Sequence, residues 1–337
     1  MRPENKKKRY LLLALSVALA AACFLALLVW QHQEQLAEKA RLGEMDDDTG
    51  RLKFHFNGKW YQLRNRLDTY LIIGLDKDSE ALTNLDSEAR LNDMQSDLLL
   101  LAIVDRAENT ISLLQLNRDS MTDIPRIGKE GATLPTVYQQ LALAHTYGSG
   151  GKDSCLNTVH AVSNLLYGIP IEHFFSLTMD GVTVLADLVD GVPVLVEDDF
   201  SRVTNALPKG ETVTLRGDLA LTFVRGRAGV ADNSNLNRMK RQKVFLDSLQ
   251  QRLRAKLDEG SDFALKLARS LADYTVSDLL TEELAREAER VHAYRFMGIE
   301  STPGTARKGE MFMEFYPDEE ELKDILIRLL MEEVKES

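Results

Sequence analysis

NDMQSDLLLLAIVDRAENTISLLQLNRDS, residues 92–120, is the stretch on which the reading of this chain turns. It holds two apolar runs, Leu98–Val104 and Thr110–Leu116, broken by the polar segment Asp105–Asn109. Runs of this length, rich in leucine and β-branched residues, read as two adjacent strands buried on both faces. Asp97 stands just before the first run, and Arg118 and Asp119 stand just after the second. Antiparallel pairing brings those outer ends together, so an acid and an Arg–Asp pair meet at one edge of a sheet. Taken alone, that meeting is either a surface ion pair or part of a site, and the rest of the chain bears on which.

Upstream, Tyr70–Leu75 (YLIIGL) reads as another buried strand, with Asp76 and Asp78 at its C-terminal end and a polar, acidic loop over 79–93. Residues 53–62 alternate around Asn57-Gly58, a dipeptide that favours a two-residue hairpin turn. Downstream, 121–136 reads as a Pro- and Gly-containing loop, and Tyr138–His145 has helical spacing before Gly148, Gly150 and Gly151. Ser154–Tyr167 reads as a helix capped by Asp153 or Ser154 and stopped by Gly168 and Pro170. Phe174–Thr178 and Val192–Val196 read as strands, with Asp180 placed to cap a short helix ending near Asp190. Helices are expected at Arg216–Phe223, Leu236–Leu257, 261–274, 281–293 and 318–334, with a strand at 311–316. Interleaved helices and strands with one hairpin predict an α/β fold, a single mixed central sheet flanked by helices.

The first ten residues carry five basic side chains and one acid, and Leu11–Trp30 follows with Ser16 as its only polar residue. Twenty apolar residues at about 1.5 Å each suffice to cross a bilayer core. Gln31–Gly50 holds six acids and two bases, so the positive-inside bias puts the N-terminus in the cytoplasm. A cleaved signal peptide has a shorter apolar region, and although Ala20-Ala21-Ala22-Cys23 faintly resembles a lipoprotein cleavage site, the apolar run continues past it. The expected organisation is a cytoplasmic tail (1–10), a single-pass transmembrane anchor (11–30), a spacer (31–52) and an extracytoplasmic domain (53–335). The formal net charge of −11 disfavours nucleic acid as a partner. Two cysteines, Cys23 and Cys155, give no disulfide framework, and the six histidines are scattered.

Residues 225–243 hold Arg225, Arg227, Arg238, Lys240, Arg241 and Lys243 against one acid, Asp232. Arg238 and Gln242 are four apart and share a helix face. With Asn235 as the expected N-cap, Arg238 falls in the first turn, where free N–H groups already favour an anion. Guanidinium forks suit phosphate oxygens, so a phosphate or pyrophosphate clamp competes here with a plain solvated basic face. Asp76 and Asp97 supply hard oxygen ligands of the kind magnesium takes together with substrate phosphates. The chain has no Gly-rich P-loop and no Gly-x-Ser-x-Gly elbow, which disfavours an ATPase and a serine hydrolase.

The succession LIIGLD, QSDLLLLAIVD, LLQLNRDS, LAHTYGSGG, LLYGIPIEHF, LVDGVPVLV, LTFVRGR and NRMKRQ resembles the LytR–CpsA–Psr family over roughly residues 68–255. The resemblance implies a membrane-anchored phosphotransferase of the bacterial cell envelope. Such an enzyme moves a glycopolymer (teichoic acid, capsule or similar), with its phosphate, from a polyprenyl pyrophosphate donor to a peptidoglycan sugar hydroxyl. By position, it implies that Asp76 and Asp97 hold Mg2+ (or Mn2+). It also implies that Arg118, Arg225, Arg227, Arg238 and Gln242 bind the pyrophosphate. Arg118, Asp119, Arg225 and Arg227 are then the catalytic candidates, Asp119 orienting Arg118 or serving as a base. The polyprenyl tail is expected between sheet and helices, along leucines of 154–167 and 177–189 that read equally as core. Gln140, Ala142 and Asn235 depart from the family pattern and remove one positive charge and one acid from the site region. Two other readings stay open, a non-catalytic envelope module binding anionic polymer or lipid pyrophosphate and a pyrophosphate hydrolase.

Overall fold

The two apolar runs form the middle of a six-stranded sheet in the computed structural model, which describes residues 44–45, 51–77, 91–127, 133–260, 262–310 and 312–334. The chain divides into a unit ending at Phe54 and a unit from His55 to Ser337. In the first, Glu44–Met45 pairs antiparallel with Leu52–Lys53. The anchor expected at Leu11–Trp30 lies outside the described residues, as do Asp78 and most of the 79–93 loop. Among the described residues, no helix is long and apolar enough to cross a membrane.

The sheet strands are β1 (Leu67–Lys77), β2 (Met94–Asp105), β3 (Thr110–Leu116), β4 (His173–Thr178), β5 (Thr275–Ser277) and β6 (Arg295–Ser301). Their spatial order is β5-β4-β1-β2-β3-β6. The β4–β1 and β3–β6 pairs are parallel and the other neighbours antiparallel, so the sheet is mixed. Leu71, Ile73, Leu99, Leu101 and Leu114 are fully buried, as expected for central strands covered on both faces. The β2–β3 turn is set by Asp105, whose Oδ1 accepts the N–H groups of Ala107 at 2.9 Å and Glu108 at 3.0 Å.

The flanking helices are α1 (Lys152–Leu165), α2 (Met179–Leu188), α3 (Gly217–Arg225), α4 (Asn235–Asp258), α5 (Asp262–Leu271), α6 (Thr281–Val291) and α7 (Glu319–Leu330). A hairpin of Val192–Leu195 and Thr212–Leu215 packs against α3 and α4 through Val192, Val194, Phe223, Phe245 and Leu249, all buried. That cluster fixes how far α4 is rotated about its axis, and so which of its basic side chains face inward.

Several local expectations are corrected. Residues 121–136 are not a loop: Met121–Ile127 and Thr133–Gln140 pair as antiparallel strands. Tyr138–His145 is not one helix, because the second strand runs to Gln140 before a fully buried 3-10 turn, Leu141–Tyr147. Asp153 and Ser154 do not cap α1, whose N-cap is Gly151 without a side-chain bond. Their side chains instead hold the preceding turn, accepting from Ser149 N at 2.6 Å and Gly150 N at 2.8 Å. Thr178, not Asp180, is the N-cap of α2. The terminal helix stops at Leu330, and Met331–Glu333 pairs with Tyr61–Leu63 as a strand. The strands at 212–215, 275–277, 295–301 and 304–308 were not anticipated; they are short or partly exposed, with no apolar run to mark them.

Candidate functional site: an arginine–aspartate cluster at the sheet edge

Asp97 owes its position to an irregularity between β1 and β2. The register runs Gly74↔Leu98 and then Leu75↔Ser96, leaving Asp97 as the unpaired extra residue of a bulge. Bulges re-aim a side chain, and this one turns a carboxylate toward the ends of β3 and α4. Gly74 is required opposite it, because a Cβ there would lie 2.8 Å from Leu98 Cβ. Arg118 follows β3 by two residues, and its guanidinium forms an ion pair with Asp97 Oδ1 and donates to Gln95 Oε1. Arg238 reaches the other oxygen, Nη1 donating to Asp97 Oδ2 at 2.7 Å. All three side chains are buried, at 7%, 9% and 3% exposure for Asp97, Arg118 and Arg238.

Arg238 is itself held. Asn235 Oδ1 accepts from its Nη2 at 2.7 Å, while Asn235 Nδ2 donates to Asn117 Oδ1 at 2.8 Å. Asn117 Oδ1 also accepts the Asp119 N–H at 3.0 Å, so one amide chain runs from Arg238 to the backbone of Asp119. The N-cap of α4 is Ser234, whose hydroxyl accepts from Asn237 N at 3.2 Å. Asn235 is thus the first helical residue rather than the cap expected, and its amide is free to serve Arg238.

Asp119 is largely but not fully buried, its side chain 14% exposed, with Arg118 Nε 3.6 Å from its Oδ1. Burial pushes its carboxyl up, against the opposing pull of Arg118, Arg238 and Arg227. Arg238 is pushed down to about 10, first by burial and then by the like charge of Arg227, and remains a cation at neutral pH. Asp76, at the end of β1 and paired in register with Gln95, accepts from Arg225 Nε at 2.6 Å. Arg225 ends α3 and its side chain is 50% exposed. Arg227, beyond Gly226, is exposed and has no ion pair among the described residues.

The structure therefore brings Asp97, Arg118, Arg238 and Asp119 into one cluster and adds Arg225 with Asp76. Gln242 is placed differently: it is 5% exposed, its Oε1 accepting from Gln115 Nε2 at 3.2 Å. It bridges α4 to β3. Gln95, Gln115 and Asn117 escaped the sequence reading as site residues, and Asn235 entered it only as a helix cap and a departure from the family pattern. Gln115 did interrupt an apolar run, which is the signal that could have found it.

Four guanidinium groups face three carboxylates here, a small positive excess that suits a polyanion bound with a cation. Asp76 and Asp97 lie at one edge on neighbouring strands, and no group of three or more His, Cys, Asp or Glu side chains able to hold a metal is found among the described residues. One or two carboxylates are what magnesium commonly takes from a protein, its remaining ligands coming from phosphate and water. Planar donors converging beside them fit phosphate oxygens.

The sequence model of the LytR_cpsA_psr family matches residues 31–326. A protein of Halalkalibacterium halodurans named polyisoprenyl-teichoic acid–peptidoglycan teichoic acid transferase TagU is 29% identical over 174 residues, covering 52% of each chain. The Enterococcus faecalis protein of the same name is 26% identical over 218 residues, 65% of this chain and 63% of that one. The chain thus spans about half to under two thirds of the length of these relatives. Among solved structures, "TagT bound to LIIa-WTA" superposes with a TM-score of 0.58 at 20% identity, covering 79% of this chain and 90% of that one. Bacillus subtilis TagT does so at 0.55 and 20%, with the same coverage. At that identity the likeness establishes the fold.

Proposed function

The chain belongs to the LytR-CpsA-Psr family, and from that premise we propose that it transfers a polyprenyl-pyrophosphate-linked glycopolymer, with its phosphate, to a sugar hydroxyl of peptidoglycan. The observation that carries the reading is the buried Asp97 between Arg118 and Arg238, with Asp119 beside them. Buried arginines held by a carboxylate and by amides are a preorganised receptor for phosphoryl oxygens, and phosphoryl transfer depends mainly on such positioning and charge neutralisation. Teichoic acid stands in the names of the relatives, and an anionic wall polymer of that class is the donor we assign.

In this reading the acceptor hydroxyl attacks the phosphorus that carries the glycan. A new P–O bond forms, the bridging P–O bond of the pyrophosphate breaks, and the electron pair leaves with polyprenyl phosphate. Arg118 and Arg238 bind the non-bridging oxygens, and Arg225 and Arg227 reach the outer phosphate from the end of α3. Asp119 takes the hydroxyl proton; its raised pKa suits a base. Asp76 and Asp97 would hold magnesium or manganese, which would supply neutralising charge to the phosphates. Leu11–Trp30 anchors the chain as a single span with its N-terminus in the cytoplasm, so the catalytic unit meets its lipid donor at the outer membrane surface.

The test is turnover of a polyprenyl-pyrophosphate saccharide with peptidoglycan fragments by the full chain in detergent, with Asp97→Ala and Arg118→Ala alongside. Glycan joined to peptidoglycan by the parent alone supports the transferase. Free phosphorylated saccharide as the sole product indicates a hydrolase, and binding without turnover, unaltered by Asp97→Ala, leaves a binding module.

A further inference from the structure

Arg241 sits in the basic run of α4, yet it points inward where its neighbour Lys240 faces solvent. It is 5% exposed. Its Nη1 donates to Asp198 Oδ2 at 2.6 Å, its Nη2 donates to the carbonyl of Gly226, and its Nε donates to the carbonyl of Phe223 at 3.3 Å. The guanidinium also lies 5.5 Å from the centroid of the Phe200 ring, which is itself stacked on Phe223 at 5.8 Å. One buried cation thus gathers the 198–200 loop, the last turn of α3 and the peptide that follows it.

That peptide is the link between two candidate phosphate ligands. Gly226 separates Arg225 from Arg227, both exposed. Its backbone is pressed against the same wall, since a Cβ on it would lie 2.9 Å from Thr222 O and 3.1 Å from Phe200 Cε1. Arg225 and Arg227 are long side chains that leave the backbone on either side of that peptide, Arg225 toward Asp76. A fork that donates to two carbonyls and a carboxylate at once needs the planar geometry of arginine; a lysine ammonium cannot span the three acceptors.

We propose that Arg241, braced by Asp198, is a positioning residue for pyrophosphate recognition: it fixes the Gly226 carbonyl and thereby sets the spacing and direction of Arg225 and Arg227. The inference rests on the site being a pyrophosphate clamp and adds to it a support that touches no substrate. Arg241 without that role is only a buried brace between α3 and α4, and the two cases differ in whether its effect passes through Arg225 and Arg227.

The experiment is calorimetric titration of the full chain in detergent, with magnesium, using farnesyl diphosphate as the probe. Arg241→Lys and the near-isosteric Asp198→Asn are expected to weaken binding by about tenfold, within the range of coupling between residues of one network. Gly226→Ala, which alters no charge, is expected to do the same. In an Arg225→Ala/Arg227→Ala background, Arg241→Lys is expected to bring no further loss. An equal loss in both backgrounds overturns the proposal, because the effect then does not pass through the two arginines. Unchanged binding by Arg241→Lys beside a binding parent overturns it while leaving the clamp intact. A parent that binds no farnesyl diphosphate overturns the clamp and the brace together. Thermal unfolding of each variant separates lost positioning from lost fold: a Gly226→Ala protein that melts like the parent and binds normally also counts against the proposal.

Discussion

At the scale of single residues, the two proposed metal acids differ in what their arginines contribute to the fold. Asp97, Arg118 and Arg238 are all more than nine-tenths buried. Removing the carboxylate leaves two desolvated cations without it, a change that typically costs about 3–5 kcal/mol. Arg225, the partner of Asp76, is half exposed, so its ion pair is screened and worth roughly 0–1 kcal/mol. Asp97→Ala is therefore expected to lower both turnover and the denaturant midpoint, whereas Asp76→Ala lowers turnover and hardly moves the midpoint. Equal midpoint losses would contradict this account. Asp119 carries the pH dependence. A base with a raised pKa is protonated, and idle, below that raised value, so the rate should fall on the acid side at a pH above the ordinary Asp value of about 3.9. Folding responds in the opposite direction: the native state keeps the Asp119 proton longer, so its contribution to stability declines as pH rises from the unfolded to the folded pKa. Asp119→Asn should slow the reaction and abolish that acid limb in a pH–rate profile. A variant that keeps the limb removes Asp119 as the base.

At the scale of elements, the bulge between β1 and β2 is the feature that makes the site. It depends on Gly74, since a side chain there collides with Leu98 across the ladder. Gly74→Ala is expected to shift the bulge, to destabilise by about 1–3 kcal/mol through overpacking, and to cut turnover by turning Asp97 off its arginines. Unfolding curves and initial rates measure the two effects; full activity with a displaced melting point would show that the bulge does not aim Asp97. The same register explains what the sequence concealed. The apolar run reads as a strand beginning at Leu98 with Asp97 just before it, and nothing in the composition shows that the strand begins at Met94 with Asp97 as the residue the ladder skips. The strands at 121–127 and 133–140 were concealed for another reason: Pro125 and Pro135 and the intervening Gly128 are local turn signals, overridden here by pairing between the strands.

At the scale of the whole molecule, the proposed anchor makes a direct prediction. The full chain is expected to sediment with liposomes, and a chain lacking residues 1–30 to remain in the supernatant; co-sedimentation of the shortened chain would relocate the membrane contact to the domain itself. The sequence by itself determined the mixed α/β class, the two central strands, the meeting of Asp97 with Arg118 at one sheet edge, and the arginine inventory. Those follow from local apolar runs and from a short turn that leaves antiparallel pairing little choice. Only the tertiary structure decided which acid holds which arginine, because Arg238 and Asp97 are 141 residues apart and Arg225 and Asp76 are 149 apart. It also decided that Arg241 faces inward while its neighbour Lys240 faces solvent. The physical reason is the rotation of α4 about its axis, set by Phe245 and Leu249 packing into a core that gathers segments distant in the chain.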